Sequence, residues 1–350
     1  DEDTRCRGRL KQEKYTLSLK TIRWGILSTG HIAERFAEAL NELPDAALSA
    51  VGSRSQESAH AFAEKYGVAR AHGSYEALAA DPDIDVIYIG TPHAFHLENA
   101  ALCMRAGKAV LCEKALTINA SEAEEMVRIA REEKVFLMEA MIPRHVPLLK
   151  RVMAWVADGR VGDVRLVKAS RCARGTFTAE GRHMNPALGG GSLLDVGVYV
   201  TSFAYQVFGR SPVETVGVAH LGDFGSDEQG VALLKYDDGA IANLSYALQT
   251  EAVADAYIYG TEGYIKIDET FAVPHRASLV KNKEVVEVLE EPIRNDNALI
   301  YEAEETMRCL REGLMESPFM PLDESVAIMH TLDALRKDWP MRYPNDAGRL

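Results

Sequence analysis

The chain has 350 residues, 47% of them hydrophobic, with 52 acidic residues against 39 basic ones and a net charge of −13. That length suggests about two domains with sizeable cores, and the charge argues against nucleic acid or a membrane surface as the main partner. The five cysteines (Cys6, Cys103, Cys112, Cys172, Cys309) form no C-x-x-C pair and no zinc spacing, which points to free thiols in a reducing, cytoplasmic setting and to no metal centre.

Residues 1–20 are polar and charged, lack the apolar core of a signal peptide, and read as an N-terminal extension. No apolar run approaches the roughly 20 residues of a membrane span. Residues 22–28 then read as a strand broken by Thr29-Gly30, after which Ile32, Phe36, Ala39, Leu40 and Leu43 recur at helical spacing. Further strands are expected over 48–52, 85–90, 109–112 and 135–138, separated by helices over 57–66, 96–105 and 121–133. Such alternation predicts a parallel sheet covered on both faces, here a dinucleotide-binding domain over residues 21–143.

The first strand–helix turn reads Ser28-Thr29-Gly30-His31-Ile32-Ala33. A dinucleotide fingerprint needs glycine where the backbone approaches the pyrophosphate and a small residue where helix meets strand. Gly30 and Ala33 supply these; Ser28 stands at the first glycine position. The second strand ends in Ser53-Arg54-Ser55, with no acid to bind the ribose hydroxyls of NAD. A guanidinium flanked by hydroxyls suits a 2′-phosphate, so NADP is favoured over NAD. The third strand leads into Thr91-Pro92-His93-Ala94-Phe95-His96. No thiolate or carboxylate accompanies the two histidines at a metal spacing; they read as a loop and helix start, or as residues lining the nicotinamide and substrate side of the crevice. The fourth strand ends in Glu113-Lys114, where a lysine can hold a substrate oxygen or shift a neighbour's pKa. Asn119 or Ser121 can cap the helix that follows.

Beyond residue 164 the pattern changes to short strands joined by tight turns, Tyr236-Asp237-Asp238-Gly239 and Gly260-Thr261-Glu262-Gly263. This predicts an open, mostly antiparallel sheet in a second domain over 144–340, flanked by helices near 144–158 and 193–208, with a tail over 341–350. Some strands are apolar on both faces, so a second subunit is expected to cover one face, giving a homodimer or a dimer of dimers. Within this half, Gly189-Gly190-Gly191-Ser192 leads into Asp195 and Tyr199, four residues apart on one helix face. On spacing alone the pair reads equally as a surface helix and as an acid and a phenol that form a proton relay with a lysine. Arg144, after the fifth strand, and His183, in a loop, are weaker candidates for substrate binding.

Taken together, Ser28 to Ala33, Thr91 to His96, Glu113-Lys114 and Gly189 to Tyr199 resemble the motifs of the Gfo/Idh/MocA oxidoreductases. Within that family the chain is most similar to the branch of dimeric dihydrodiol dehydrogenase and NADP-dependent D-xylose dehydrogenase. The resemblance implies a Rossmann domain joined to an open sheet domain, with Tyr199 as acid–base residue beside Lys114 and Asp195. It implies a nucleotide held by Ser28, Thr29, Gly30, His31, Ile32, Ser53, Arg54, Ser55, Thr91, Pro92, His93, His96, Glu113 and Lys114, and a substrate met by His96, Arg144 and His183. The expected activity is hydride transfer between NADP and a secondary alcohol or lactol of a small cyclic polyol or sugar. Two readings share the fold: an oxidoreductase that keeps NADP bound and recycles it, and a non-catalytic NADP sensor. Ala115 stands in place of the family's proline, so the loop after Lys114 lacks a fixed φ. Ile142 stands where the branch often carries an aromatic residue against an aromatic substrate.

Overall fold

The computed structural model describes residues 20–346; the expected extension over 1–20 lies almost wholly outside them. The first sheet has six parallel strands, β1 (Ile22–Leu27), β2 (Ala46–Gly52), β3 (Arg70–His72), β4 (Val86–Ile89), β5 (Ala109–Glu113) and β6 (Leu137–Ala140). Helices α1 (His31–Asn41), α2 (Gln56–Tyr66), α3 (Tyr75–Ala79), α4 (His96–Arg105) and α5 (Ala120–Glu133) lie on its connections. Continuous burial of β4 and β5 marks them as central strands. The apolar stripe of α1 (Ala33, Phe36, Ala37, Leu40) packs inward, with Phe36 stacked on Tyr88 at 3.8 Å between ring centroids. Buried rings of this size each contribute about 1.5–3 kcal/mol relative to exposure. Ser55, Ser74 and Asn119 cap α2, α3 and α5 through their side chains.

The strand order is β3-β2-β1-β4-β5-β6. Connections run outward in opposite directions from β1 and β4, and that switch point opens the crevice in which open α/β sheets bind ligands.

The second sheet has eight strands: β7 (Val164–Cys172), β8 (Glu214–Leu221), β9 (Asp227–Lys235), β10 (Ile241–Ala247), β11 (Ala256–Gly260), β12 (Tyr264–Ile267), β13 (Arg276–Lys281) and β14 (Glu284–Glu290). Their order is β14-β13-β12-β11-β7-β10-β9-β8, antiparallel except for the parallel pair β7 and β10. Helices α6 (Pro147–Ala157) and α7 (Val198–Phe208) cover its inner face, onto which Val167, Ala169, Ala232, Leu234 and Leu244 project. The last helices, α8 (Leu299–Glu312) and α9 (Leu322–Arg336), turn back to pack on α1 and α5 of the first domain.

Two expectations need correction, and three strands were not expected. Residues 341–346 are not a loose tail: Met341, Tyr343 and Asp346 are buried, and Asp346 pairs with Arg336 and accepts from Asn119 Nδ2. The helical run Pro186–Phe208 does reach the length and apolarity of a membrane span, but 83% of its most apolar window is buried within the fold, as suits a core helix. Strand β3 escaped the sequence reading because three half-buried residues carry no periodicity. β13 and β14 were also missed; β14 leaves Val285, Val286 and Val288 exposed, so its apolar residues mark no single face.

Candidate active site

At the switch point a cavity of about 780 Å³ is lined by Arg54, Ser74, Tyr75, Thr91, Pro92 and Asn99, among others. Gly30 caps α1 with its backbone bare: a Cβ there would meet only Ser28 Oγ, at 3.6 Å. The N-terminus of α1 therefore offers its free N–H groups to a pyrophosphate. Ser28 holds φ at 121°, a region that favours glycine, and its hydroxyl donates to Gly90 O (3.0 Å) and accepts from Gly30 N (3.2 Å). Ile32 lies beside Gly90, while His31 projects outward with an 86% exposed side chain near Glu34. Arg54 makes no ion pair among the described residues and faces the cavity beside Tyr75. Ser53 and Ser55 are committed locally: Ser53 Oγ accepts from Ser55 N, and Ser55 Oγ accepts from Ser58 N. The volume, the exposed helix terminus and the unpaired guanidinium fit an adenine dinucleotide.

The loop after β5 is held from several sides. The Nε2 of His93 lies 3.1 Å from Lys114 O, and its Nδ1 lies 2.8 Å from Gly189 O in the second domain. His96 places Nδ1 3.0 Å from Ala115 O and Nε2 2.8 Å from Thr91 O, while Leu116 N donates to Glu139 Oε1 at 3.1 Å. Burial pushes both imidazoles down, His93 to about 3, which favours neutral rings. Glu113 turns inward: its Oε1 accepts from Tyr88 Oη (2.7 Å) and its Oε2 from Lys114 N (3.2 Å), and burial pushes its carboxyl up.

From this loop the Lys114 ammonium reaches across to the second domain. Nζ donates to Asp195 O at 2.8 Å, lies 3.4 Å from Asp195 Oδ1, and sits 4.9 Å from the centroid of the Tyr199 ring. Asp195 belongs to a π-wound turn over Leu193–Gly197 that runs straight into α7. Asp227 fixes the start of that turn, its Oδ2 accepting from Ser192 Oγ (2.7 Å) and Leu193 N (2.6 Å). Arg182 Nη1 donates to Asp195 Oδ1 at 3.1 Å, and the Arg171 guanidinium lies 5.9 Å from the Tyr199 ring.

Burial would push the Asp195 carboxyl up, but the Lys114 and Arg182 cations hold it well below the usual carboxylate range. For Lys114 the balance is reversed in sign: burial would lower it, yet the charges of Asp195, Tyr199 and Glu113 raise it above an ordinary lysine. Tyr199 is pushed up by burial, and the Lys114 charge opposes this only in part. The lysine therefore lowers the phenol as its spacing suggested, but does not bring it below an ordinary tyrosine in the ligand-free protein.

A family model described as "Oxidoreductase family, NAD-binding Rossmann fold" matches residues 22–141, and the GFO/IDH/MocA C-terminal domain matches residues 149–266. The chain belongs to the Gfo/Idh/MocA oxidoreductase family. It is 36% identical to the trans-1,2-dihydrobenzene-1,2-diol dehydrogenase of Mus musculus over 334 residues, covering 93% of this chain and 99% of that protein. Among solved structures it is similar to a 3-ketoreductase from Actinomadura kijaniata in complex with NADP and TDP-benzene. The identity is 27% and the TM-score 0.80, over 91% of this chain and 98% of that one. An aldose-aldose oxidoreductase from Caulobacter crescentus shares the fold at 22% identity and TM-score 0.82, over 91% of this chain and 97% of the other. This member of the Gfo/Idh/MocA family is an NAD(P)-dependent dehydrogenase acting on CH–OH groups.

Of the site residues expected from the family motifs, the structure gathers Lys114, Asp195 and Tyr199 at one point and Arg54, Thr91 and Pro92 along the crevice. His183 is half-buried in the loop before the glycines, its ring 4.9 Å from that of Phe177. Two assignments are corrected. His96 does not line a substrate pocket: it is fully buried, and its ring braces the carbonyls of Thr91, Ala115 and Leu116. With His93 and Glu139 it holds the loop where the family's proline is replaced by Ala115. Arg144 does not meet substrate either: it donates to Ser202 O (2.7 Å) and Ser202 Oγ (3.0 Å) and pairs with Glu324, locking α7 to α9. The sequence reading missed Tyr75, Arg171, Arg182 and Asp227. Only Tyr75 had a local signal, the Gly73-Ser74 cap in front of it.

Proposed function

We propose that this dehydrogenase transfers a hydride between NADP and a secondary alcohol or lactol of a small cyclic polyol or sugar. The observation that carries the reading is the Lys114 ammonium, delivered by the first domain, packed against Asp195 and the Tyr199 ring of the second. Bound NADP supplies the hydride acceptor or donor. In the oxidative direction Tyr199 Oη takes the hydroxyl proton of the substrate. Lys114 stabilises the tyrosinate and the developing alkoxide, and Asp195, shared between Lys114 and Arg182, fixes the ammonium in place. The intact set of three speaks against a non-catalytic sensor. Ile142 in place of an aromatic residue favours a polyol or sugar over an aromatic diol. A panel of polyols and aldoses with NADP and NAD, followed by NADPH absorbance, tests the reading. Tight NADPH binding with no turnover on any of them would favour the sensor, and full activity without added nucleotide would favour a recycled, tightly held cofactor.

NADP preference rests on Arg54 at the end of β2, which lines the cavity and makes no ion pair among the described residues. Arg54→Ala is expected to weaken NADP binding by about tenfold to a hundredfold, the scale of a charged hydrogen bond, and to leave NAD binding nearly unchanged. Equal affinity of the unmodified protein for the two nucleotides would remove the argument.

The proposed assembly is a homodimer, or a dimer of dimers, through the outer face of the second sheet. Val216 pairs with Leu233 and Val218 with Val231 across β8 and β9, and all four stay at least 44% exposed. A row of adjacent apolar side chains of this kind marks an interface. Light scattering at micromolar concentration should give twice the chain mass or more, and Val218→Lys with Leu233→Lys should reduce it to one. Cys103, Cys112 and Cys309 are buried free thiols and Cys172 is half-buried and free, which supports a reducing, cytoplasmic setting.

A further inference from the structure

The surroundings of Tyr199 contain more positive charge than the proton relay uses. Lys114 and Arg182 share the Asp195 carboxylate. Arg171, at the end of β7, has no such partner: among the described residues it makes no ion pair, and its Nε is shut off from solvent without an acceptor. Strand alternation sets Arg171 on the same inner face as the buried Val167 and Ala169, so it points under α7 rather than out to solvent. Its guanidinium lies 5.9 Å from the ring whose other cation, Lys114, lies 4.9 Å away. Among the described residues, the only ion pairs at this centre run to Asp195. A buried Nε–H without an acceptor is an unsatisfied donor, which an acceptor arriving with a ligand would satisfy.

We propose that the substrate carries an oxyanion, a carboxylate or a phosphate ester, on the same small carbon skeleton as the reacting hydroxyl, and that Arg171 binds it. A planar guanidinium fork matches either group through paired N–H donors. Arg182, exposed at its tip and tied to Asp195 by one nitrogen, stands by as a second donor. Phe177, packed on His183 in the same loop, offers an apolar surface for the carbon skeleton. This names the substrate class of the dehydrogenase proposed above and rests on that reading.

The test compares D-glucuronate, D-glucose 6-phosphate and D-glucose on the full chain. Each is titrated onto the NADPH-bound protein by nucleotide fluorescence and assayed for turnover with NADP. At least one anionic sugar should bind and turn over about tenfold better than glucose or more, and the stronger arm distinguishes carboxylate from phosphate. Arg171→Gln should bring the ratio of anionic to neutral kcat/KM close to one, and Arg171→Lys should keep part of it. Equal handling of all three sugars, or an unchanged ratio in Arg171→Gln, overturns the proposal and leaves the dehydrogenase reading intact. So does a variant in which every substrate slows by the same factor while the pH profile moves, because Arg171 would then act on Tyr199 alone. If an anionic sugar titrates onto the NADPH complex but no compound turns over, the dehydrogenase reading fails and the oxyanion site stands.

Discussion

Tyr199→Phe should lower kcat by about 10²–10⁴, the usual worth of a positioned acid–base group, while NADPH binding stays within a few-fold. The phenol ring lies against the Lys114 ammonium and does not line the cavity beside Arg54 and Thr91, so the loss should appear in chemistry rather than in cofactor affinity. Lys114→Met should cost a comparable factor, and the double variant little more, because the two residues act as one unit. The pH profile separates their roles. Burial raises the Tyr199 phenol and Lys114 opposes that rise. The rate of oxidation should therefore climb with pH in the unmodified protein, climb only at still higher pH in Lys114→Met, and lose this limb in Tyr199→Phe. Near-normal turnover in Tyr199→Phe would pass the proton to His183 or to water; His96 is too deeply buried to take it. Near-normal turnover in Lys114→Met would favour the sensor.

The second large effect is expected at Gly191. Its φ of +127° disfavours any side chain, and an added Cβ would fall 2.2 Å from Asp227 Oδ1 and 3.4 Å from Tyr343 Oη. Alanine there must push Asp227 away from Ser192 and Leu193, the two groups that anchor the turn carrying Asp195. Strain and overpacking together should destabilise the protein by on the order of 2–5 kcal/mol, with a matching loss of turnover as Asp195 and Tyr199 shift. Gly209 provides the control: its φ is +64°, but a Cβ there would meet nothing within 4 Å. Gly209→Ala should therefore cost only about 1 kcal/mol and leave activity alone. Equal drops in Tm for the two variants would show that Asp227 does not anchor the turn.

Much of this was legible in the sequence, because local pattern and fold agreed. Apolar runs ending at glycine or at a capping residue gave the strands and helices of the first domain, and hairpin turns gave the second sheet. Lys114, Asp195 and Tyr199 were readable because each sits at a fixed place in a motif. What a motif does not encode is side-chain direction. His96 and Arg144 stand at suggestive positions, yet one braces a loop and the other clamps two helices, because buried polar groups turn to whatever acceptors packing brings near. Arg171, Arg182 and Asp227 gain their roles only across the interior of the fold, from partners 13 to 35 residues away or from a ring on another element. No spacing within one element announces such contacts.

The chain closes on itself near Lys114, and this sets an order of events during synthesis. The helix that follows the lysine loop begins at Ala120, whose N–H donates to Asp333 at 2.8 Å, and its cap Asn119 donates to Asp346 at 3.4 Å. The nucleotide-binding half thus leaves the ribosome long before the residues that complete it. Until residue 346 has cleared the exit tunnel, the nascent protein carries every catalytic side chain and the His93, His96 and Glu139 contacts to the lysine loop, but lacks the two carboxylates that hold the start of α5. A product cut short before α9 would resemble a finished enzyme in its motifs and still leave the helix behind its lysine loop untied at its N-terminus.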